Sequence, residues 1–181
     1  VSTYLAYQAK YRDTPRESDR VLIELVSERV PQGGRVLDVG CSTGNLLTHL
    51  QSSRRDLSLR GCDVDTDALA KCPNQFLVFR ADIAERLPAG ILATTPPTTV
   101  LTFDAVTLNA VLYCLDDEQT AAALGNIFRV LRPGGHLFIW DYFQPWEQRL
   151  TITEESERYG THTFHVRPYS LLRRLATAAG F

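Results

Sequence analysis

The stretch Val36-Leu-Asp-Val-Gly-Cys-Ser-Thr-Gly-Asn45 runs from apolar residues into an acid and then into two glycines. Its apolar residues hardly alternate, which predicts a short strand over Arg35–Val39 that is buried on both faces. Glycines such as Gly40 and Gly44 are typical of a strand-to-helix turn that needs positive φ angles or the close approach of another group. The turn therefore predicts a ligand site.

The composition predicts a chain that can bury a core. Of its 181 residues 44% are hydrophobic, and 21 acids against 19 bases give a net charge of −2. No run of either sign is present, which makes a nucleic-acid partner unlikely on sequence grounds. No apolar run approaches the roughly 20 residues of a membrane span, and the N-terminal residues lack a signal-peptide layout. We therefore expect no membrane partner and a cytoplasmic protein.

The four cysteines contain no C-x-x-C pair: they are Cys41, Cys62, Cys72 and Cys114. This spacing argues against a zinc site and against a disulfide framework. We expect reduced, buried thiols and no bound metal.

The remaining chain alternates between helical and strand patterns. Helices are predicted over residues 15–30, 44–50, 66–71, 117–131 and 168–179, and strands over 35–39, 57–63, 75–80, 103–109 and 136–142. Thr14-Pro-Arg-Glu17 resembles a capping box for the first helix, and Asp116 with Gln119 would frame the fourth. The alternation predicts right-handed crossovers and an α/β fold with a doubly wound, mainly parallel sheet. Residues 88–102, rich in Pro, Thr and Ala, predict a long surface loop.

Three acids lie at or just past the ends of predicted strands: Asp38, Asp63 and Asp82. The carboxyl ends of parallel strands meet at one edge of a doubly wound sheet, where ligands bind. Asp63 suits the vicinal hydroxyls of a ribose, and Asp82 suits an exocyclic amine such as that of adenine. Each acid alone is equally well explained as a helix cap. The ordered set, together with the glycines, favours a ligand site.

The glycine turn differs from a dinucleotide fingerprint. That fingerprint reads G-x-G-x-x-G and places a pyrophosphate on a helix N-terminus. Here the spacing is D-x-G-x-x-x-G, and Asp38 adds negative charge where a pyrophosphate would sit. A ligand with a cationic amine suits this turn better.

The ordered motifs resemble class I S-adenosylmethionine-dependent methyltransferases over nearly the whole chain. Val36–Leu47 resembles the glycine-rich motif of that family, Gly61–Asp65 its ribose-binding motif and Ala81–Ile83 its adenine-binding motif. Residues 103–112 resemble the fourth-strand motif, and residues 131–137 resemble the turn into the fifth strand.

The resemblance implies S-adenosyl-L-methionine as the cofactor and S-adenosyl-L-homocysteine as the product. The implied cofactor-binding residues follow four strands: Asp38, Gly40 and Gly44 at the methionine end, Asp63 at the ribose, Asp82 and Ile83 at the adenine, and Asn109 near the reacting methyl, with Cys41, Ser42 and Val64 beside them. Ser42 stands where family members commonly have glycine. Family members also continue with a sixth and a seventh strand where this sequence ends, so either the protein lacks that hairpin or the sequence is part of a longer one.

We expect the chain to form one domain over residues 1–181. Residues 1–32 would form an N-terminal helical segment that could close as a lid, residues 33–142 the cofactor-binding core, and residues 143–181 a C-terminal cover and helix.

The sequence does not identify one residue as the general base. Methyl transfer from a sulfonium depends chiefly on alignment and on the exclusion of water, so a base is needed only where the acceptor loses a proton. The weak candidates for such a base are His162, His165 and Tyr113, followed by Asp141 and Tyr142.

Aromatic residues supply the candidates for the substrate side: Tyr11, Tyr142 and Trp146. Tyr4, Tyr7 and Tyr11 recur at helical spacing, so they form either an aromatic face over the cofactor or a simple packing face. Trp140 is expected in the core.

The sequence thus predicts an S-adenosylmethionine-dependent methyltransferase that acts on a small-molecule acceptor. Two alternatives stay open: a non-catalytic cofactor-binding or assembly module, and a nicotinamide-dependent oxidoreductase. The acceptor atom and the oligomeric state are not predicted.

Overall fold

The computed structural model describes residues 3–85, 87, 102–156 and 160–181. Within these ranges the main sheet has five parallel strands: β1 (Arg35–Val39), β2 (Ser58–Asp63), β3 (Leu77–Arg80), β4 (Phe103–Asn109) and β5 (Leu131–Trp140). Their order is β3-β2-β1-β4-β5, and it reverses between β1 and β4. Such a reversal is the point at which doubly wound sheets bind ligands. The predicted α/β fold is confirmed.

The helices of the described ranges are α1 (Thr3–Ala9), α2 (Glu17–Arg29), α3 (Asn45–Ser53), α4 (Thr66–Leu69), α5 (Asp117–Val130) and α6 (Tyr169–Ala179). The helices pack on both faces of the sheet, and the sheet separates the core into two clusters. Val36 packs in the cluster that holds Val26 of α2 and Leu47 of α3, whereas Leu37 packs in the cluster that holds Leu124 of α5. Burial on both faces explains why β1 lacks an alternating pattern.

A second, smaller sheet follows the first. It comprises β6 (Phe143–Gln144), β7 (Leu150–Ser156) and β8 (Gly160–Pro168) in the order β6-β8-β7, with β7 and β8 antiparallel. The sequence analysis expected a cover here but missed its strands. The signal was present, because β7 contains Thr and Ile, β8 contains Thr, Phe and Val, and such residues favour strands. The charged and polar residues between them interrupt the strand pattern, so the two strands were not predicted.

Arg167 fastens the second sheet to the first. Its side chain is 2% exposed, and its Nε donates to Asp117 Oδ1 over 2.7 Å. Its Nη1 donates to the carbonyl oxygen of Leu112 over 2.8 Å, and its Nη2 donates to that of Leu115. These carbonyls lie in and just after a 3₁₀ turn (Leu112–Cys114) that follows β4. Strand β8 is therefore held beside the carboxyl end of β4.

Helix boundaries depart from the prediction where local capping decides them. Helix α2 begins at Glu17 because Arg16 is its N-cap residue, and the Arg16 backbone N–H donates to Asp19 over 2.9 Å. The predicted cap of α5 is confirmed, since Asp116 and Gln119 bond reciprocally.

Strand β5 also differs from the prediction. It begins at Leu131 rather than at residue 136, because Leu131 pairs with Phe103 ahead of an irregular register. Trp140, expected in the core, is 41% exposed at the end of this edge strand. Apart from Thr102, the loop predicted over residues 88–102 lies outside the described residues. Among the helices that the structure does describe, none has the length and apolar character to cross a membrane.

We expect Arg167→Gln to destabilise the protein by about 3 kcal/mol, because it leaves the carbonyls of Leu112 and Leu115 without their cationic donor and removes one of the two arginines that pair with Asp117. Amide hydrogen exchange should show the largest loss of protection in β7 and β8. Arg174→Gln is the matched control, because Arg174 forms only an exposed ion pair of 3.9 Å with Glu147. Equal effects of the two substitutions would contradict the anchoring role.

Candidate functional site

A cavity of about 420 Å³ opens at the carboxyl ends of β1, β2 and β4. Its volume lies within the range of small-molecule sites. Nine of the ten predicted cofactor-binding residues line it: Asp38, Gly40, Cys41, Ser42, Asp63, Val64, Asp82, Ile83 and Asn109. The exception is Gly44. The convergence follows from the parallel sheet, which brings four separate turns to one edge.

Asp38 lies buried at the base of the cavity. Its Oδ1 accepts a hydrogen bond of 2.8 Å from the Thr107 hydroxyl on β4. The pKa of Asp38 is raised from 3.8 to about 7. Burial is the largest cause, and the carboxylates of Asp19 and Asp63 act in the same direction, while the Thr107 hydrogen bond and Arg16 lower the pKa. This carboxyl group therefore changes protonation near neutral pH, and a cation placed beside it would favour its ionised form.

A buried ion pair that the sequence analysis missed lies next to Asp38. Asp19 on α2 is 0% exposed, and its carboxylate accepts from the Arg16 guanidinium through two bonds of 3.0 Å. It also accepts from Asn109 Nδ2 over 2.8 Å. Asn109 thus orients the pair from the end of β4, and Arg16 lines the cavity. The only signal in the sequence was an i,i+3 Arg–Asp spacing, which normally indicates a surface pair.

Asp63 uses part of its carboxylate to hold the glycine turn. Its Oδ2 accepts from the Ser42 backbone N–H over 2.7 Å, and its Oδ1 accepts from that of Asp65 over 2.9 Å. Burial raises the pKa of Asp63, against the lowering effect of these bonds. An ionised carboxylate has about four acceptor positions, so these bonds leave it capacity for a ligand in the cavity that it lines.

Asp82 stabilises the turn that contains it and also lines the cavity. Its Oδ1 accepts from the Ala84 backbone N–H over 2.9 Å. This is the helix-cap type of bond that the sequence allowed as the simpler explanation. Its place in the cavity lining keeps it available to a ligand.

Helix α1 closes one side of the cavity. The Tyr4 hydroxyl donates to Ser42 Oγ over 2.8 Å, and Gln8 Nε2 donates to the Tyr4 hydroxyl over 2.8 Å. Tyr4 and Tyr7 line the cavity, whereas Tyr11, a substrate-side candidate, lies outside the lining. Its ring packs on that of Tyr7 at 5.0 Å between centroids.

The opposite side is formed by the turn after β4 and by β8. Tyr113, Tyr142 and His162 all line the cavity there, as does Cys114. The Cys114 sulfur lies 3.5 Å from His162 Nε2. Cys114 is exposed, which corrects the expectation that all four thiols are buried.

Three further candidates occupy other places. Asp141 accepts from the backbone N–H groups of Val111 and Leu112 over 3.0 and 2.7 Å, and burial raises its pKa. Its carboxylate therefore holds the turn after β4. His165 lies beside Thr151 outside the cavity lining, and Trp146 is 69% exposed and also outside it. The structure thus removes His165 and Trp146 from the site.

The two glycines owe their place to packing as much as to a ligand. Gly40 and Gly44 have φ angles of 74° and 76°. A Cβ atom at Gly40 would overlap Val111, and one at Gly44 would overlap the sulfur of Cys72. Gly44 is the left-handed N-cap of α3 and does not line the cavity. Gly44 therefore has a packing role in this structure, and its predicted contact with the cofactor stays a prediction.

A model of the methyltransferase domain family matches residues 37–137. This span is more than half of the 181 residues. The chain belongs to the methyltransferase domain family. The matched span contains the glycine turn, Asp63, Asp82 and the start of β5. This agrees with a class I, S-adenosylmethionine-dependent methyltransferase of Rossmann-like fold. The cofactor of this family is S-adenosyl-L-methionine.

Curated relatives of this methyltransferase domain differ in what they act on. The carboxy-S-adenosyl-L-methionine synthase of Campylobacter concisus is 30% identical over 118 residues, which cover 65% of this chain and 48% of that protein. The O-methyltransferase rstn1 of Aspergillus nomiae is 32% identical over 144 residues, which cover 74% of this chain and 61% of that protein. The tRNA N(3)-methylcytidine methyltransferase trm141 of Schizosaccharomyces pombe is 30% identical over 114 residues, which cover 59% of this chain and 44% of that protein. The chain spans about half the length of these relatives.

Solved structures share the fold of the methyltransferase domain. Streptomyces venezuelae DesVI superposes with a TM-score of 0.67 at 18% identity, covering 98% of this chain and 86% of that one. At this identity the likeness shows the fold alone.

We expect the stability of the wild type, relative to Asp38→Asn, to fall as pH rises from about 4 to 7. The folded state keeps the Asp38 proton up to pH about 7, while the unfolded chain releases it near pH 3.8. The folded state therefore binds more protons between these values, and the free energy of unfolding decreases as pH rises. Urea unfolding at several pH values measures this difference. Asp67→Asn, at an exposed position outside the cavity, is the control, and parallel curves for wild type and Asp38→Asn would contradict the raised pKa.

We expect Gly44→Ala to destabilise the protein by roughly 3 kcal/mol, since it adds steric overlap with Cys72 to the cost of a left-handed alanine. Gly33→Ala is the matched control. Gly33 has a φ of 72° but no atom within 4 Å of an added Cβ, so about 1 kcal/mol is expected. Urea unfolding compares the two, and equal costs would rule out the packing explanation.

Proposed function

We propose that the protein transfers a methyl group from S-adenosyl-L-methionine to a small-molecule acceptor. One observation carries the proposal: the strand-end carboxylates of Asp38, Asp63 and Asp82 converge on a single cavity of about 420 Å³. A nicotinamide dinucleotide is less suitable, because its pyrophosphate would meet the carboxylates of the glycine turn.

The charges of the cavity suit the charges of the cofactor. Asp38 would pair with the ammonium group of the methionine moiety, and the Arg16 guanidinium would face its carboxylate. The remaining acceptor positions of Asp63 would receive the ribose hydroxyls, and Asp82 with Ile83 would bind the adenine. Gly40, Ser42 and their neighbours would form the floor through their backbone.

The chain's own residues would do two things for the reaction. Arg16, Asp38 and Asp63 would hold the cofactor in one orientation, which removes most of the entropic cost of alignment. Tyr4 and Tyr7 on one side, and the second sheet on the other, would exclude water. When bound, the cofactor supplies a methyl group that passes to the acceptor nucleophile while the sulfur keeps the bonding electron pair.

The lining of the cavity favours a small acceptor. Among the described residues that line it there is one arginine and no lysine. A phosphate backbone requires several such cations, so a tRNA acceptor is disfavoured in spite of the relative that is named for tRNA. The cytoplasmic location and the division of the chain at residues 32 and 142 are proposals of the same kind, and they rest on composition and pattern.

Calorimetric titration tests the cofactor assignment. We expect Asp63→Asn to weaken binding of S-adenosylmethionine and S-adenosylhomocysteine about tenfold to hundredfold, because it removes charge-assisted hydrogen bonds worth roughly 1.5–3 kcal/mol. Asp67→Asn, four residues further on and exposed, should bind like the wild type.

Circular dichroism establishes that each variant is folded. A folded wild type that binds neither compound would contradict the proposal. Binding without turnover on any acceptor would instead support the non-catalytic cofactor-binding module.

A further inference from the structure

One end of the cavity is lined by residues that the cofactor assignment does not use. We call Tyr113, Tyr142 and His162 the aromatic wall. Tyr113 lies in the 3₁₀ turn after β4, Tyr142 follows β5, and His162 lies on β8 of the second sheet. All three line the cavity, and Cys114 and Leu115 lie beside them.

The aromatic wall is held by ring-to-ring packing. The ring centroids of Tyr113 and Tyr142 are 5.3 Å apart at 76°, and those of Tyr113 and His162 are 5.9 Å apart at 60°. Phe164 packs behind, at 5.1 Å from Tyr113 and 4.7 Å from His162. Edge-to-face packing of this kind gives a preformed surface that suits a planar aromatic ligand.

The charges of the cavity lie at its other end. The charged residues in the lining are Arg16, Asp38, Asp63, Asp65 and Asp82. Arg16 is the N-cap of α2, and the four acids lie near the carboxyl ends of β1 and β2 or in the turns after β2 and β3. The described part of the aromatic wall brings no carboxylate and no guanidinium into the lining. Asp141, close by in sequence, directs its carboxylate to backbone N–H groups. Without a cationic partner, such a wall disfavours an acidic or phosphorylated acceptor.

His162 provides a proton acceptor at this wall. Its Nε2 lies 3.5 Å from the sulfur of Cys114, and both residues line the cavity. The imidazole and the thiol therefore meet within the lining of the cavity. Packing against Tyr113 and Phe164 restricts the orientation of the ring.

We propose that the aromatic wall binds a neutral aromatic hydroxyl compound, and that His162 accepts the proton which this hydroxyl loses on methylation. The inference rests on the proposed function and specifies its acceptor class. The hydroxyl oxygen gains one bond to the methyl carbon and loses its bond to hydrogen. The proton goes to His162 Nε2 and then to solvent, so that the ether product is neutral.

The experiment uses three probes: 2-naphthol, 4-methylcatechol and 4-nitrophenol at pH 8, where the last is mainly a phenolate. Formation of S-adenosylhomocysteine is measured for the wild type, His162→Gln and the matched control His165→Gln, which alters a histidine on the same strand outside the cavity. Unfractionated tRNA serves as the competing acceptor class. Calorimetry with S-adenosylmethionine is run on all three proteins.

We expect His162→Gln to slow methylation of the neutral phenols about 100-fold and that of 4-nitrophenolate only a few-fold, because general-base catalysis matters only while a proton remains to be removed. His165→Gln should behave like the wild type, and all three proteins should bind the cofactor equally. Tyr113→Leu should raise KM for 2-naphthol at least tenfold.

The outcomes separate the inference from the proposed function. If the cofactor does not bind, the proposed function fails and the inference fails with it. If the cofactor binds but no phenol binds or reacts, or if tRNA alone is methylated, the acceptor class is overturned while the proposed function stands. An equal loss on the neutral phenols and on 4-nitrophenolate would overturn the role of His162 as proton acceptor.

Discussion

The buried carboxylate of Asp19 is the constraint around which the site is organised. A charge without access to water needs a partner and further hydrogen bonds, and Asp19 obtains them from Arg16 and Asn109. These bonds join the start of α2 to the end of β4 and bring a guanidinium to the cavity. They also place a second negative charge near Asp38, which adds to the effect of burial on its pKa. One end of the cavity is therefore charged and rigid.

Backbone N–H groups hold the remaining turns in a similar way. Asp63 receives those of Ser42 and Asp65, and Asp141 receives those of Val111 and Leu112. Each carboxylate closes a loop at the carboxyl edge of the sheet, where the parallel arrangement leaves turns that need support. Arg167 supports the turn after β4 with the opposite charge, because its guanidinium donates to the carbonyl oxygens of Leu112 and Leu115. The second sheet and the cavity are thus parts of one network of hydrogen bonds.

The contrast between the two ends of the cavity explains the division of roles that we propose. The end formed by the turns after β1, β2 and β3 contains the carboxylates, and the polar cofactor matches it in charge. The end formed by the turn after β4 and by β8 consists of aromatic rings and a thiol. A ligand that spans both must be charged in one half and largely apolar in the other. A methyl donor and a neutral acceptor meeting in the middle fulfil this condition.

The sequence by itself determined the α/β class, the main strands and nine of the cavity residues, because these follow from local patterns and from the rule that parallel strands end at one edge. Only the tertiary structure decided the role of Gly44, since the overlap with Cys72 depends on a contact between distant residues. The same holds for the Arg16–Asp19 pair, whose i,i+3 spacing does not reveal that α2 buries it against Asn109. It also holds for the choice of His162 over His165. Successive residues on a strand point to opposite faces, so His162 and His165, three residues apart, lie on different faces. The position of the hairpin decides which face meets the cavity, and Arg167 sets that position through carbonyls more than 50 residues away in the chain.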